Sequence, residues 1–278
     1  MLSIIICSIS HKFFNSLEEN IKTSIGDIKH ELIKIDNTRH NYSIAKAYNI
    51  GIKKAKFPHL LFLHEDILFH TKNWGPVLLD CFKEPEIGVI GVAGSKVKSK
   101  IPSPWWEYPS DLLVKNIIQH RPNDTIERLH FGFSEDIEET VIIDGVFIAV
   151  RKDERLRFNE RIPGFHSYDQ CISLEARKIG YKVMVVRKIL IEHFSNGKLD
   201  AQWVKSSDQL HDLYNKDLPQ AISKSKLRNV SLKDKIKRYM NLCKMVGNKA
   251  IAFKYWLKYI KINPLDKQNI SWLKYFLK

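Results

Sequence analysis

Two hydrophobic patterns take turns along the first part of the chain. Short unbroken apolar runs bounded by polar residues read as strands covered on both faces. They lie at residues 2–7, Glu31–Ile35, Leu60–Leu63, Gly88–Ala93 and Tyr181–Val186, with a further strand, Thr140–Val150, interrupted at Asp144-Gly145. Between them, apolar residues recur at helical spacing. Ser16 and Glu19 form a capping box opening a helix that Gly26 closes. Ser43 caps a second helix to about Lys54, with Ile44, Ala47, Tyr48 and Ile52 on one face. Asn73 starts a third, on which Trp74, Val77, Leu78 and Phe82 share a face; a fourth runs from Tyr168 to Ile179 and ends at Gly180. This alternation predicts an α/β domain with a mostly parallel central sheet and helices on both faces. Residues 95–140 stand apart: Pro102, Pro104, Pro109 and Pro122 predict a long irregular loop.

Beyond residue 223 the pattern is helical throughout. Leu232, Ile236, Tyr239, Met240 and Cys243 form one apolar stripe. Phe253, Trp256, Leu257 and Ile260 form a second, opposite Lys254, Lys258 and Lys261, and Pro264 ends it. Ile270, Trp272, Leu273 and Phe276 mark a short third helix. Charge changes at the same place. Residues 1–223 carry 30 Lys+Arg against 29 Asp+Glu, and residues 224–278 carry 15 against 2, so +13 of the net +14 belongs to the tail. The chain therefore divides into a body, 1–223, and a basic helical C-terminal extension, 224–278. Basic amphipathic helices bearing Trp and Tyr suit an anionic membrane surface. The alternatives are stripes packed on the body with solvated lysines, a protein contact through a tetratricopeptide-like helix at Asn248–Pro264, and nucleic acid; no nucleic acid is expected.

Four scattered cysteines, Cys7, Cys81, Cys171 and Cys243, make neither a zinc site nor a disulfide framework and suit a reducing compartment. No apolar stretch nears the ~20 residues of a membrane span, and the apolar start is too short for a signal sequence. A cytoplasmic protein, peripheral on the cytoplasmic membrane face, is the expectation.

The strand His59–Leu63 runs directly into His64-Glu65-Asp66. Ligands of open α/β sheets bind at the carboxyl ends of strands. Carboxylates crowded there call for a divalent cation, and hard oxygen donors suit magnesium or manganese. A cation in turn binds phosphates, so metal-assisted chemistry on a nucleotide-linked substrate is the first hypothesis. A GxGxxG turn after the first strand is absent, which argues against a dinucleotide-binding dehydrogenase or methyltransferase. Ser8-Ile9-Ser10-His11 is neither glycine-rich nor basic enough for a nucleotidylyltransferase loop.

Five segments together resemble the family 2 glycosyltransferases, which have the GT-A fold. They are Ser3-Ile4-Ile5-Ile6-Cys7-Ser8, Ile35-Asp36-Asn37, Ala45-Lys46-Ala47-Tyr48-Asn49-Ile50-Gly51-Ile52, His64-Glu65-Asp66 and Phe165-His166-Ser167-Tyr168-Asp169-Gln170. The resemblance spans residues 2–197 and omits the tail. It implies an inverting transferase that uses a nucleotide sugar, expected to be a UDP-sugar, and a saccharide or lipid-linked acceptor in surface polysaccharide synthesis. Asp36 matches the residue that contacts the nucleoside base, with Ser8, Asn37 and Asn49 in the matching donor-side segments. Asp66 matches the metal-binding second Asp of the DxD motif. His64 stands where the first Asp belongs; it remains a donor-side or metal contact, and Glu65 is the alternative ligand. His193, in Ile191-Glu192-His193-Phe194, matches a histidine that completes the shell of Mn2+ or Mg2+. Asp169 matches the catalytic base, with Asp136 or Glu135 as competitors. Asp169 begins a helix, whose N-terminus favours the anion and predicts a low pKa. Asp144, before a glycine that permits close backbone approach, is expected to touch donor or acceptor. Trp105, Trp106, Tyr108 and His166 are the expected acceptor wall. A non-catalytic binder with the same fold is the rival reading, because the first Asp is missing.

Overall fold

The structure, a computed structural model, describes residues 1–122, 124–195, 197–223 and 231–277. Its first strand is covered on both sides. In β1 (Leu2–Ser8), Leu2, Ile4 and Ile6 pack with Leu17 and Ile21 of α1 (His11–Ser24). Ile5 packs on the other face with Ala47 and Tyr48 of α2 (Ile44–Lys54). β1 pairs in parallel with β2 (His30–Asp36) and β3 (His59–Leu63). β3 divides likewise: Leu61 and Leu63 join the α1 side, Leu60 and Phe62 the α2 side. Two covered faces explain why these strands are unbroken apolar runs. Each buried Leu or Ile contributes roughly 1.5–3 kcal/mol.

The body continues through β4 (Ile67–Phe69), α3 (Trp74–Cys81), β5 (Ile87–Gly91), β6 (Ala93–Ser95), β7 (Val97–Lys98), β8 (Leu113–His120), β9 (Ile126–Phe131), β10 (Ile137–Thr140), β11 (Ile142–Ile143) and β12 (Phe147–Arg151). Then come α4 (Tyr168–Lys178), β13 (Lys182–Val186), β14 (Ile191–His193), α5 (Ala201–Leu213) and β15 (Gln220–Ala221). The main sheet runs β10-β13-β5-β12-β3-β1-β2; a second runs β11-β6-β8-β14-β4 with β9 on β8, and β15 pairs with β7.

The main sheet is mostly parallel, as expected: β1, β2, β3, β5 and β13 run the same way, while β12 enters between β3 and β5 antiparallel to both and β10 runs antiparallel to β13. Two expectations change. The first helix opens at Ser10, whose hydroxyl accepts from Phe13 N at 3.4 Å, not at Ser16. Phe14 extends the apolar stripe of Leu17 and Ile21 back by a turn, leaving Ser16 in the helix interior. Residues 95–140 are not one irregular loop. Their prolines gather around two 3-10 turns, Trp105–Glu107 and Ser110–Leu112, and the chain then forms the β8–β9 hairpin, with Pro122 in the connection, and β10.

The tail forms α6 (Leu232–Met245), α7 (Lys249–Ile262) and α8 (Gln268–Leu277). Ile236, Tyr239, Met240, Ala252, Tyr255 and Trp272 form a cluster with Trp203 and Val204 of α5 and with Ile101. Tyr239 Oη donates to the Val204 carbonyl at 2.8 Å, and Lys254 Nζ meets Asp208 and Asp212 carboxylates, each at 2.7 Å. The tail thus packs on the body, but on α7 the buried face is Ala252, Tyr255, Trp256 and Tyr259 rather than the expected stripe, whose Phe253 and Leu257 are exposed. Residues 224–230, where the expected body–tail boundary falls, lie outside the described residues. Among the described residues, no helix is long and apolar enough to cross a membrane.

Candidate active site

The carboxyl ends of β1, β2 and β3 lie side by side because the three strands are parallel. Ser8, buried at the end of β1, stands opposite Asp36, and the Ser8 carbonyl accepts from Asn37 N at 2.8 Å. Asp36 is exposed; Thr38 donates to its carboxylate from both amide and hydroxyl, which holds its pKa below the usual carboxylate range. The third strand ends at the His64-Glu65-Asp66 turn. Opposite it, β12 leaves the Asp144-Gly145 turn, and His64 N donates to the Val146 carbonyl at 3.2 Å.

β14 supplies the next residue. It pairs antiparallel with β4 and parallel with β8, setting His193 against Ile67 on one side and Gln119 on the other. That register brings His193 beside Asp66. His193 Nε2 lies 3.7 Å from Asp66 Oδ1, and His64 Nδ1 lies 3.8 Å from the same oxygen. One ligating atom from each of the three residues falls within 4.8 Å of the others. Burial lowers the pKa of both imidazoles, and neutral imidazole is the form that ligates metals. Two nitrogens and a carboxylate fit a divalent cation, and manganese better than magnesium, because magnesium prefers oxygen donors throughout. Glu65 is not in this group. Its carboxylate accepts from the amides of Ile9 and Ser10 at 3.0–3.1 Å and braces the loop after β1.

Two carboxylates, the partly buried Asp144 and the buried Asp169, stand close to this group. Burial raises the Asp144 pKa; Val146 N donates to its Oδ1 at 3.0 Å, and the Trp105 indole and the positive form of His64 favour its anion. Asp169, at the start of α4, is pushed up to about 7 by burial and then by the Asp144 charge. The low pKa expected from the helix N-terminus is thus overturned: loss of water and a neighbouring anion outweigh the amide of Gln170, which donates to Asp169 Oδ1 at 2.8 Å. Lys98, buried and itself lowered to about 7, adds a compensating positive charge. Ser167, just before α4, holds a left-handed backbone (φ 63°), and its buried hydroxyl lacks a partner among the described residues. Strain and an orphaned hydroxyl together are features of working sites.

Several expected contacts serve the scaffold. Asn49 Nδ2 donates to the Phe158 carbonyl and Glu160, and its Oδ1 accepts from Phe158 N, tying α2 to the loop before α4. Asn37 closes the 37–42 loop by bonding both backbone groups of Tyr42. Tyr108 is buried, and its hydroxyl accepts from Ser99 N at 2.8 Å and Ser103 Oγ at 3.1 Å. Trp105 is buried with Lys115 Nζ 5.0 Å from its ring centre, whereas Trp106 is exposed and meets Trp105 edge-on. His166 Nε2 lies 3.6 Å from Asp200 Oδ1. Asp136 is exposed and paired with Lys188, and Glu135 is exposed. Sequence reasoning missed Tyr168, whose hydroxyl lies 2.6 Å from His64 Nε2, and Gln119, whose Oε1 lies 3.1 Å from His193 Nδ1. Tyr168 directly precedes the proposed base, a signal that was readable; Gln119 depends on strand register and was not.

The profile of a family described as glycosyltransferase-like matches residues 3–225. The chain belongs to this glycosyltransferase family. Among solved structures the glycosyltransferase is similar to GalNAc-T7, crystallised with UDP, GalNAc and Mn2+: TM-score 0.52 and 11% identity, over 76% of this chain and 47% of that one. It is also similar to S. aureus TarS, with TM-score 0.47 and 13% identity, over 87% of this chain and 43% of that one. The chain thus spans less than half the length of either. The first likeness shows the fold, the GT-A fold of glycosyltransferases. No curated protein matches.

Proposed function

We propose that this glycosyltransferase moves a sugar from a UDP-linked donor to a saccharide or lipid-linked acceptor, inverting the anomeric centre, in the synthesis of a surface polysaccharide. The observation that carries the reading is the convergence of His64, Asp66 and His193 beside the carboxylates of Asp144 and Asp169. Asp36, at the exposed end of β2, binds the nucleoside. His64, Asp66 and His193 hold Mn2+ or, less well, Mg2+. When bound, such a cation offsets the charge of the diphosphate leaving group.

Asp169 acts as general base. Its carboxylate takes the proton of the acceptor hydroxyl while that oxygen attacks the anomeric carbon and the bond from carbon to diphosphate breaks. A base with a pKa near 7 is half deprotonated at neutral pH, which suits proton abstraction better than an ordinary carboxylate. The exposed face of Trp106 receives the acceptor.

The tail adds a membrane contact. Leu257, Leu265, Ile270, Leu273 and Leu277 are exposed on a segment of net charge +13, an amphiphilic surface complementary to anionic lipid. This reading puts the enzyme on the cytoplasmic face, next to a lipid-linked acceptor.

A thermal-shift panel of nucleotides and nucleotide sugars, each with and without Mn2+, tests the reading. Stabilisation by UDP or a UDP-sugar only when Mn2+ is present supports it. No shift with any nucleotide would leave the protein as a GT-A scaffold without donor binding.

A further inference from the structure

We infer that Tyr168 and Gln119 are positioning residues that select which nitrogen of His64 and His193 is offered to a metal, and that Tyr168 thereby links the metal side of the site to the Asp169 side. The inference rests on the metal-assisted reading above.

Each imidazole has one nitrogen held by an oxygen and the other facing Asp66 Oδ1. For His193 the held atom is Nδ1, 3.1 Å from Gln119 Oε1. The Gln119 amide is oriented from its other end: Nε2 donates to the carbonyls of Ser195 at 2.7 Å and His120 at 2.9 Å, so Oε1 is the acceptor. His193 Nδ1 must then carry the proton, and Nε2 keeps its lone pair. Nε2 is the atom 3.7 Å from Asp66 Oδ1; Ser195 Oγ, 3.3 Å away, is its other neighbour. That nitrogen is too far from the carboxylate for a hydrogen bond, so the contact with Asp66 does not satisfy it.

His64 shows the reverse arrangement. Its Nε2 is held by Tyr168 Oη at 2.6 Å, and its Nδ1 lies 3.8 Å from the same Asp66 oxygen. A hydroxyl can donate or accept. Only with Nε2–H donating to Tyr168 does Nδ1 present a lone pair beside Asp66. Two histidines using opposite nitrogens toward one carboxylate oxygen, each with its far nitrogen anchored, form the outer-sphere pattern that orients metal-ligating imidazoles.

The Tyr168 hydroxyl packs directly on the Asp144-Gly145 turn: a Cβ added to Gly145 would stand 2.2 Å from its Oη, so a side chain there would have to displace it. Tyr168 is also the first residue of α4, between strained Ser167 and Asp169. A cation pulling on His64 therefore bears, through one hydrogen bond, on the residue next to the base.

The test uses the full chain. 15N NMR of histidine-labelled, metal-free protein reads the tautomers, and calorimetric titration with MnCl2 reads affinity. We expect His193 as the Nδ1–H form and His64 as the Nε2–H form. Tyr168→Phe and Gln119→Leu should each weaken Mn2+ binding about 10–100-fold. Gln119→Glu, which keeps the acceptor for His193 but loses the donor to the Ser195 and His120 carbonyls, should weaken it less than Gln119→Leu. Gly145→Ala, which displaces the hydroxyl without removing it, should act like Tyr168→Phe. Wild-type Mn2+ binding with unchanged affinity in Tyr168→Phe and Gln119→Leu would overturn this inference alone, as would His193 protonated at Nε2. A wild type that binds no Mn2+ would overturn the metal reading and this inference with it.

Discussion

His193 Nε2 stands 3.7 Å from Asp66 Oδ1, across strands whose pairing joins residues more than a hundred positions apart. The contact places His193 in the candidate metal group with Asp66 and His64. His193→Ala should reduce Mn2+ affinity by more than the ~10–100-fold lost with an outer-sphere partner. A calorimetric Mn2+ titration checks this, with circular dichroism to confirm the fold.

Asp169 gives the clearest pH signature. Transfer should rise about tenfold per pH unit below about 7 and level off above it, because the carboxyl holds its proton to about 7. The Asp144 charge adds to burial in setting that midpoint. Asp169→Asn should lower kcat by about 10²–10⁴-fold and leave donor affinity nearly unchanged. Steady-state kinetics from pH 5 to 9 reads both.

Stability should move the other way. The Asp169 pKa is raised from an ordinary 3.8 to about 7, so the fold keeps a proton that the unfolded chain releases between those values. That contribution is favourable below about pH 4, shrinks as pH rises through 7, and has become the full cost of a buried anion by pH 8. Asp169→Asn should therefore stabilise the protein at pH 8 by on the order of 2–4 kcal/mol and hardly at all at pH 4. Urea unfolding at the two pH values measures the difference.

Asn49 should behave as scaffold. It is buried and makes three hydrogen bonds that close a span of more than a hundred residues. Asn49→Ala should cost about 2–3 kcal/mol in urea unfolding, at about 1 kcal/mol per bond. Kinetic constants per folded molecule should stay near those of the wild type.

The outward face of the tail predicts lipid selectivity. The enzyme should sediment with phosphatidylglycerol vesicles but not with phosphatidylcholine vesicles. Replacing Lys261, Lys267 and Lys274 by Glu removes about 1 kcal/mol of attraction per lysine and adds repulsion. Equal binding of wild type and variant would point to the tail serving the body alone.

Where both sides of a strand are covered, the residues announced it. The Leu60–Leu63 run and the Ser43-capped helix appear where their patterns placed them, and the His64–Asp66 turn follows at the strand end. β8 escaped notice because Lys115 and Asn116 are buried polar residues in mid-strand, which erases the apolar signal. β9 is largely exposed and turns only Leu129 and Phe131 toward the core, too short an alternation to read. The site was legible where it depends on a local turn and opaque where it depends on register. Gln119 meets His193 only because β14 lies beside β8, and Tyr168 meets His64 only because Gly145 admits it. Asn49 and Tyr108 sit in motif-like positions, yet their polar atoms close the scaffold's own hydrogen bonds.

One measurement reaches the centre of the account: calorimetric binding of UDP to the wild type and to Asp66→Asn, each with Mn2+ and then with EDTA. The account predicts binding to the wild type that EDTA abolishes, and weak binding to Asp66→Asn under both conditions. UDP affinity that is the same with Mn2+ and with EDTA, and the same in both proteins, would contradict it.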